Sequence, residues 1–299
     1  MAASLPDQVR AHCAAVAASA RSVSIDHDAL ERLELDVPEG GPQLDPLRHF
    51  LEGSEEDVAA YLLALDAINF GSGWFPTLAK RRTVDGRSVS GYFTTAWNLA
   101  DHVRAHGPWG PAELRRLRTE EVAGILGQAP DHELMALYAQ ALRQLGSWLG
   151  ERTALDVVRE AGGSATALSA ELARMAMWHD VGYFKRAQIV PSDLALAGVA
   201  DFRDLHALTI FADNLVPHVL RCEGVLVYDR PLAQHVDAGQ VLPAGPWERE
   251  IRACAVHACA LLAPRLGLTE HELDHVLWNR GQEPAFKARP RHRCRTVFY

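Results

Sequence analysis

Apolar residues return every third or fourth position along most of this chain, the spacing of helices that turn one face inward. The longest stripe joins Leu134, Leu137, Tyr138, Ala141, Leu142, Leu145, Trp148 and Leu149. Asp131 can cap its start and Gly150 stops it. Gly162-Gly163 marks another helix stop, and Ser164 then opens a helix through Leu168, Leu172 and Met175. Pro246 stands where a first helical residue belongs, ahead of Ile251, Ala255, Ala258 and Leu262. The sharpest local signal is LTEHELDHVLW, where Thr269 and Glu272 form a capping box and Leu268 staples to Leu273. It predicts a helix over residues 269–279, ended by Gly281. Strand signals are few. Residues 83–89 read as a hairpin around Asp85-Gly86, and residues 296–299 read as extended. No repeat or low-complexity linker divides the chain. The pattern predicts a mainly α protein: one helical domain over residues 1–299 with a small β-hairpin.

Composition narrows the class. With 48% apolar and 23% charged residues, the 299-residue chain can fill a core and is not of a disordered type. Its net charge of −8 disfavours a polyanion, so no stable nucleic-acid partner is expected. Five cysteines are scattered and form no CxxC, which points to reduced thiols and a cytoplasmic location. The opening MAASLPDQVRAHCAAV is charged before any long apolar run, so no signal peptide is expected. No run of about 18 uncharged apolar residues occurs, so no membrane partner is expected either.

Charges inside apolar segments are the candidates for chemistry. In LTIFADNLVPHVL, Asp213 is flanked by Phe211, Ala212, Leu215 and Val216. Burial would raise its pKa unless a cation or donor holds it ionised, which suits a functional carboxylate; a helix cap is the plainer alternative. Pro217, four residues on, disturbs the local helical bonding. In YFKRAQIV, Lys185 and Arg186 lie between Tyr183-Phe184 and Ile189-Val190, so at least one should point inward or to a ligand. Asp274 and Trp278 stand one turn apart beside the core stripe of the capped helix, followed by Asn279. Phe70 and Trp74 flank a Gly-Ser-Gly turn and could wall a heterocycle. His49 is a thinner candidate for ligand contact. Residues 289–295 are the only dense basic run, either a solvated terminus or a phosphate-binding patch.

Five stretches together resemble the queuosine salvage proteins: YFKRAQIV, LTIFADNLVPHVL, LDAINFGSGWFPTL, LDHVLWNRG and the closing RHRCRTVFY. The resemblance implies a fold like that of helix-hairpin-helix DNA glycosylases and hydrolysis of the N-glycosidic bond of queuosine 5′-phosphate, releasing queuine. It implies Asp213 as the catalytic carboxylate, beside an anomeric carbon that turns oxocarbenium-like as the base departs. Queuine is a 7-deazapurine and lacks the ring nitrogen that purine hydrolases usually protonate, so more of the work falls on the sugar side. Lys185 would steady Asp213 or reach the phosphate. Asp274 would accept hydrogen bonds from the guanine-like edge, with Trp278 as a wall, and Phe211, Phe70, Trp74, His49 and Arg186 would be substrate neighbours. Asn279 would touch the base or its arm, although some relatives carry an aspartate there. The substrate is a small molecule, and no cofactor or metal is implied.

Three rivals stand beside this. His179-Asp180, with His102, His106 and Asp213, could on paper bind a metal as in His-Asp phosphohydrolases. The basic tail could serve a non-enzymatic tRNA-binding module. A glycosidase of the same class could instead take its base from a polynucleotide.

Overall fold

The computed structural model describes residues 3–37 and 41–299. Fifteen α-helices are formed among these residues. Eight bear on the site: α1 (Leu5–Ser19), α2 (Glu55–Ala67), α3 (Gly91–His106), α4 (Glu133–Leu149), α5 (Lys185–Leu196), α6 (Val216–Cys222), α7 (Pro246–Leu266) and α8 (Glu270–Arg280).

The local start and stop signals are largely used. Thr269 caps α8 through the expected box with Glu272, Ser164 caps the helix Ala165–Leu172, and α7 begins on Pro246. For α4 the cap falls one residue late. The His132 ring, not Asp131, accepts the Leu134 N–H, at 3.2 Å, while Asp131 lies exposed in the preceding turn.

The helices enclose two apolar cores. One gathers Tyr61, Leu62, Leu99, Tyr138, Leu142 and Trp178 around α2 and α4. The other gathers Val9, Val219, Val256, Leu262 and Leu273 around α7. Phe184, just before α5, packs against both. α2 is buried almost all round, so its charged Asp66 enters the interior with it.

The sheet differs from expectation. β1 (Val23–Ile25) pairs antiparallel with β2 (Leu226–Tyr228), with Ser24 opposite Val227. These partners are remote in sequence and no turn signal announces them. The Asp85-Gly86 turn does form, Thr83 N–H donating to the Arg87 carbonyl at 2.8 Å, but it closes on a single bridge between Arg82 and Ser88. The last residues form no strand. Cys294 bridges to Leu242, and the Tyr299 carbonyl accepts the Gly71 N–H at 2.9 Å.

Candidate active site

A cavity of about 340 Å³ is walled by both halves of the molecule. Two helices turn a stripe into it. On α5, Lys185, Ile189 and Asp193 follow one another at four-residue spacing; on α8, Asp274 and Trp278 do the same, with His275 and Asn279 beside them. Phe70, His49, Tyr92 and Phe211 complete much of the wall, and Arg291 from the tail joins them.

Asp213 lies in the loop that enters α6. Its Oδ1 accepts the N–H groups of Leu215 at 2.7 Å and Val216 at 3.0 Å, so it does cap this helix. Its Oδ2 accepts no hydrogen bond from the described residues, and the side chain lines the cavity. The cap therefore holds the carboxylate and leaves one oxygen for a ligand. Burial pushes its pKa up, against the pull of those N–H groups, Lys185 and Arg291.

Lys185 opens α5. Its ammonium donates to the Asn69 carbonyl at 3.0 Å. Burial pushes its pKa down to about 8, with Asp213 and Asp66 holding it up. Phe184 before it adopts φ 50°, a left-handed conformation that is costly for a bulky residue and sets the direction in which the helix starts. Asp274 on α8 is also buried. Its Oδ1 accepts the Phe211 N–H at 2.8 Å, tying α8 to the loop of Asp213. Burial, then the neighbouring Asp213, raise its pKa well above the carboxylate range.

The remaining expected residues divide. Phe70, Phe211, Trp278, Asn279 and His49 line the cavity. Trp278 meets Tyr92 and Phe93 edge-on at 5.7 and 5.4 Å between ring centres. Both His49 nitrogens face protein partners, the Asp45 carbonyl at 3.0 Å and the Tyr92 hydroxyl at 3.1 Å.

Two expectations are corrected. Arg186 points away from the cavity. It donates to the Ala67 carbonyl at the C-terminal end of α2 and to the Met177 carbonyl, and lies over Phe70 and Trp178. Consecutive helical residues diverge by about 100°, so Lys185 and Arg186 cannot both face one cavity. Trp74 is also outside the lining. Its indole N–H donates to Glu133 at 2.7 Å. The Gly-Ser-Gly turn beside it receives the chain's own tail, since a Cβ on Gly73 would lie 2.5 Å from the Cys294 carbonyl oxygen.

The charges of the cavity form a series. Arg291 acts on Asp213, Asp213 on Asp274, and Asp274 on Asp193; Asp66 lies beyond, acting on Asp193 as well. Arg48 and Arg291 are partly exposed on the cavity, as is Asp213. Lys80 and Lys287 are exposed nearby, and Lys287 has its pKa lowered by partial burial and by Arg291, Arg48 and Lys80. Asp193, Asp274 and Asp66, by contrast, are all at most 4% exposed. The cavity thus carries Arg48, Arg291 and Asp213 where it is partly exposed, and Lys185, Asp193 and Asp274 where it is buried.

A family model described as queuosine salvage protein matches residues 49–299. The chain belongs to this queuosine salvage family. A relative from Sphaerobacter thermophilus, described as a queuosine 5′-phosphate N-glycosylase/hydrolase, is 33% identical over 314 residues and covers 95% of each chain. A Mus musculus protein of the same description is 26% identical over 330 residues, covering 95% of this chain and 96% of its own. One from Dictyostelium discoideum is 36% identical over 129 residues, 40% of each chain.

Within this queuosine salvage protein, sequence reasoning missed Asp193, Asp66, Tyr92 and Arg48, and did not single out Arg291 from the tail. For Asp193 a signal was present, two helical turns beyond Lys185 on the same face. The basic tail disperses. Arg291 enters the cavity, Arg293 donates to the Gly239 carbonyl, and Arg295 pairs with Glu133 at 3.2 Å. The metal rival's residues do not converge. Asp180 is engaged by Arg252 at 2.6 Å, His179 faces the Ala173 carbonyl, and His102 packs against His106 and Trp109. Among the described residues no three His, Cys, Asp or Glu side chains gather as a metal-binding group.

Proposed function

We propose that this chain hydrolyses the N-glycosidic bond of queuosine 5′-phosphate, with Asp213 at the sugar. The names of its full-length relatives support the reaction. The observation that carries the residue assignment is that the partly exposed Arg48 and Arg291 share one cavity with Asp213 and the buried Asp274, which suits a nucleotide laid phosphate outward and base inward. Arg291, assisted by Arg48, meets the 5′-phosphate. Asp213 lies next in the series, at the ribose. Asp274 comes after it and accepts hydrogen bonds from the ring N–H and amino group of the base.

As the base departs, positive charge builds on the anomeric carbon. A carboxylate already fixed by two backbone N–H groups stabilises that charge without having to reorganise. Water then adds across the broken bond, its oxygen to the anomeric carbon and its proton balance to the leaving base. Lys185 keeps Asp213 ionised in a site where burial opposes charge. Trp278, Phe70 and Phe211 exclude bulk water from the base. The unpaired cysteines fit a cytoplasmic enzyme.

The test is release of queuine and ribose 5-phosphate from queuosine 5′-phosphate by the purified chain. An oligonucleotide carrying the same nucleoside serves as control. Asp213→Asn retains the capping geometry, so the variant should melt near the parent temperature yet lose about 10³-fold in kcat. Full activity in that variant would remove Asp213 from the reaction.

A further inference from the structure

Asp193 is 3% exposed, lines the cavity, and takes no hydrogen bond from any described residue. Its oxygens face the open volume of the cavity, so they are free to meet a ligand. Behind it Asp66 is fully buried. Its Oδ1 takes one long hydrogen bond from Asn69, at 3.3 Å, and its Oδ2 has no partner. Asp66 also sits in the last turn of α2, where the helix dipole disfavours negative charge. Lys185 acts on all of Asp193, Asp66, Asp213 and Asp274, and Arg186 acts on Asp66 as well. Burial favours the neutral acid at Asp193, and no described residue hydrogen-bonds its side chain where it faces open volume.

We propose that Asp193, with Asp66 behind it, is the receptor for a cationic substituent on the substrate's base. Resting on the functional reading above, the group it takes is the protonated secondary amine in the side arm of queuine. The geometry agrees. Asp193 lies two turns along α5 from Lys185 on the same face, and lines the cavity together with Asp274. An ammonium there gives Asp193 a charge-assisted hydrogen bond and a counter-charge that favours its ionised form. Asp193 is thus a specificity residue. It selects nucleotides whose base bears a cation and leaves those with a bare 7-deazaguanine unrewarded.

The experiment is calorimetric titration of the full chain and of Asp193→Asn with queuine and with 7-deazaguanine, which shares the ring but lacks the arm. The parent should prefer queuine. In Asp193→Asn, queuine binding should weaken about 100-fold while 7-deazaguanine changes less than about threefold. The variant should also melt at or above the parent temperature, since it removes a carboxyl group whose charge burial opposes. Equal losses for both ligands, or no loss for either, would overturn the inference while leaving the functional reading intact. Failure of the parent to bind queuine at all would sink that reading, and this inference with it.

Discussion

In the proposed mechanism Lys185 and Asp213 set opposite limits on the pH at which the site works. Asp213 must be ionised to face a cationic sugar carbon, and burial raises its pKa, so activity falls on the acid side at a higher pH than an ordinary carboxylate would give. Lys185 must be charged to sustain Asp213, and its pKa is pushed down to about 8, so activity falls again as pH rises through that value. A bell-shaped kcat/KM profile with its alkaline limb near 8 is expected. Lys185→Met should lose about 100-fold and lack that limb; a retained limb would assign it to another group. These two residues were legible because a charge in an apolar segment is conspicuous. Arg186 and Trp74 were misassigned for a related reason. Apolar flanks announce that a side chain is buried, but not which neighbour receives it.

At the scale of elements, the site depends on how closely α8 approaches the loop of Asp213. Gly281 ends α8 in an ordinary right-handed conformation, so it is not there for a turn. It is there for space. A Cβ would lie 2.7 Å from Cγ of Leu215, whose N–H holds the Asp213 carboxylate. Gly281→Ala should therefore shift that loop by a few tenths of an ångström. About 1–3 kcal/mol of stability should be lost, measured by urea unfolding. The fall in kcat should be about 10-fold or more, because displacement of a fixed carboxylate is felt in the transition state. Unchanged kcat with lowered stability would show that Leu215 gives way without moving Asp213. Capping boxes and stripes made α8 and α4 readable in advance. The approach of a helix end to a loop far off in sequence was not readable, since no local pattern encodes it.

Across the whole molecule, Arg252 joins the parts that make the cavity. From the middle of α7 it pairs with Asp180 at 2.6 Å, donates to the Ala212 carbonyl at 2.8 Å beside Asp213, and lies over the rings of Tyr183 and Tyr299. Asp180 in turn accepts the Lys185 backbone N–H at 3.4 Å. Arg252→Met strands a buried carboxylate and should cost about 3–5 kcal/mol in chemical denaturation, with part of the loss recovered on adding Asp180→Asn. Failure of the second change to restore anything would mean that packing on the tyrosines, not the ion pair, carries the effect. The cavity mouth gives a different prediction. Arg291→Ala should raise KM for queuosine 5′-phosphate about 10–100-fold and affect cleavage of the unphosphorylated nucleoside much less. Equal effects on both substrates would place Arg291 away from the phosphate.

The sequence by itself determined the mainly helical class, several of the helices with most of their caps, and the few charges that apolar segments cannot hide, because these follow from spacing and neighbours within a turn or two. It also carried the family resemblance, in short stretches distributed along the chain. Only the tertiary structure decided which charges meet: that Lys185 faces in while Arg186 turns to α2, that one tail arginine of several enters the cavity, and that Asp193 lines it with the buried Asp66 acting on it. The pairing of β1 with β2 was decided in the same way. Meetings of this kind depend on helix directions and on the packing of two cores, which are properties of the folded chain as a whole and of no single segment.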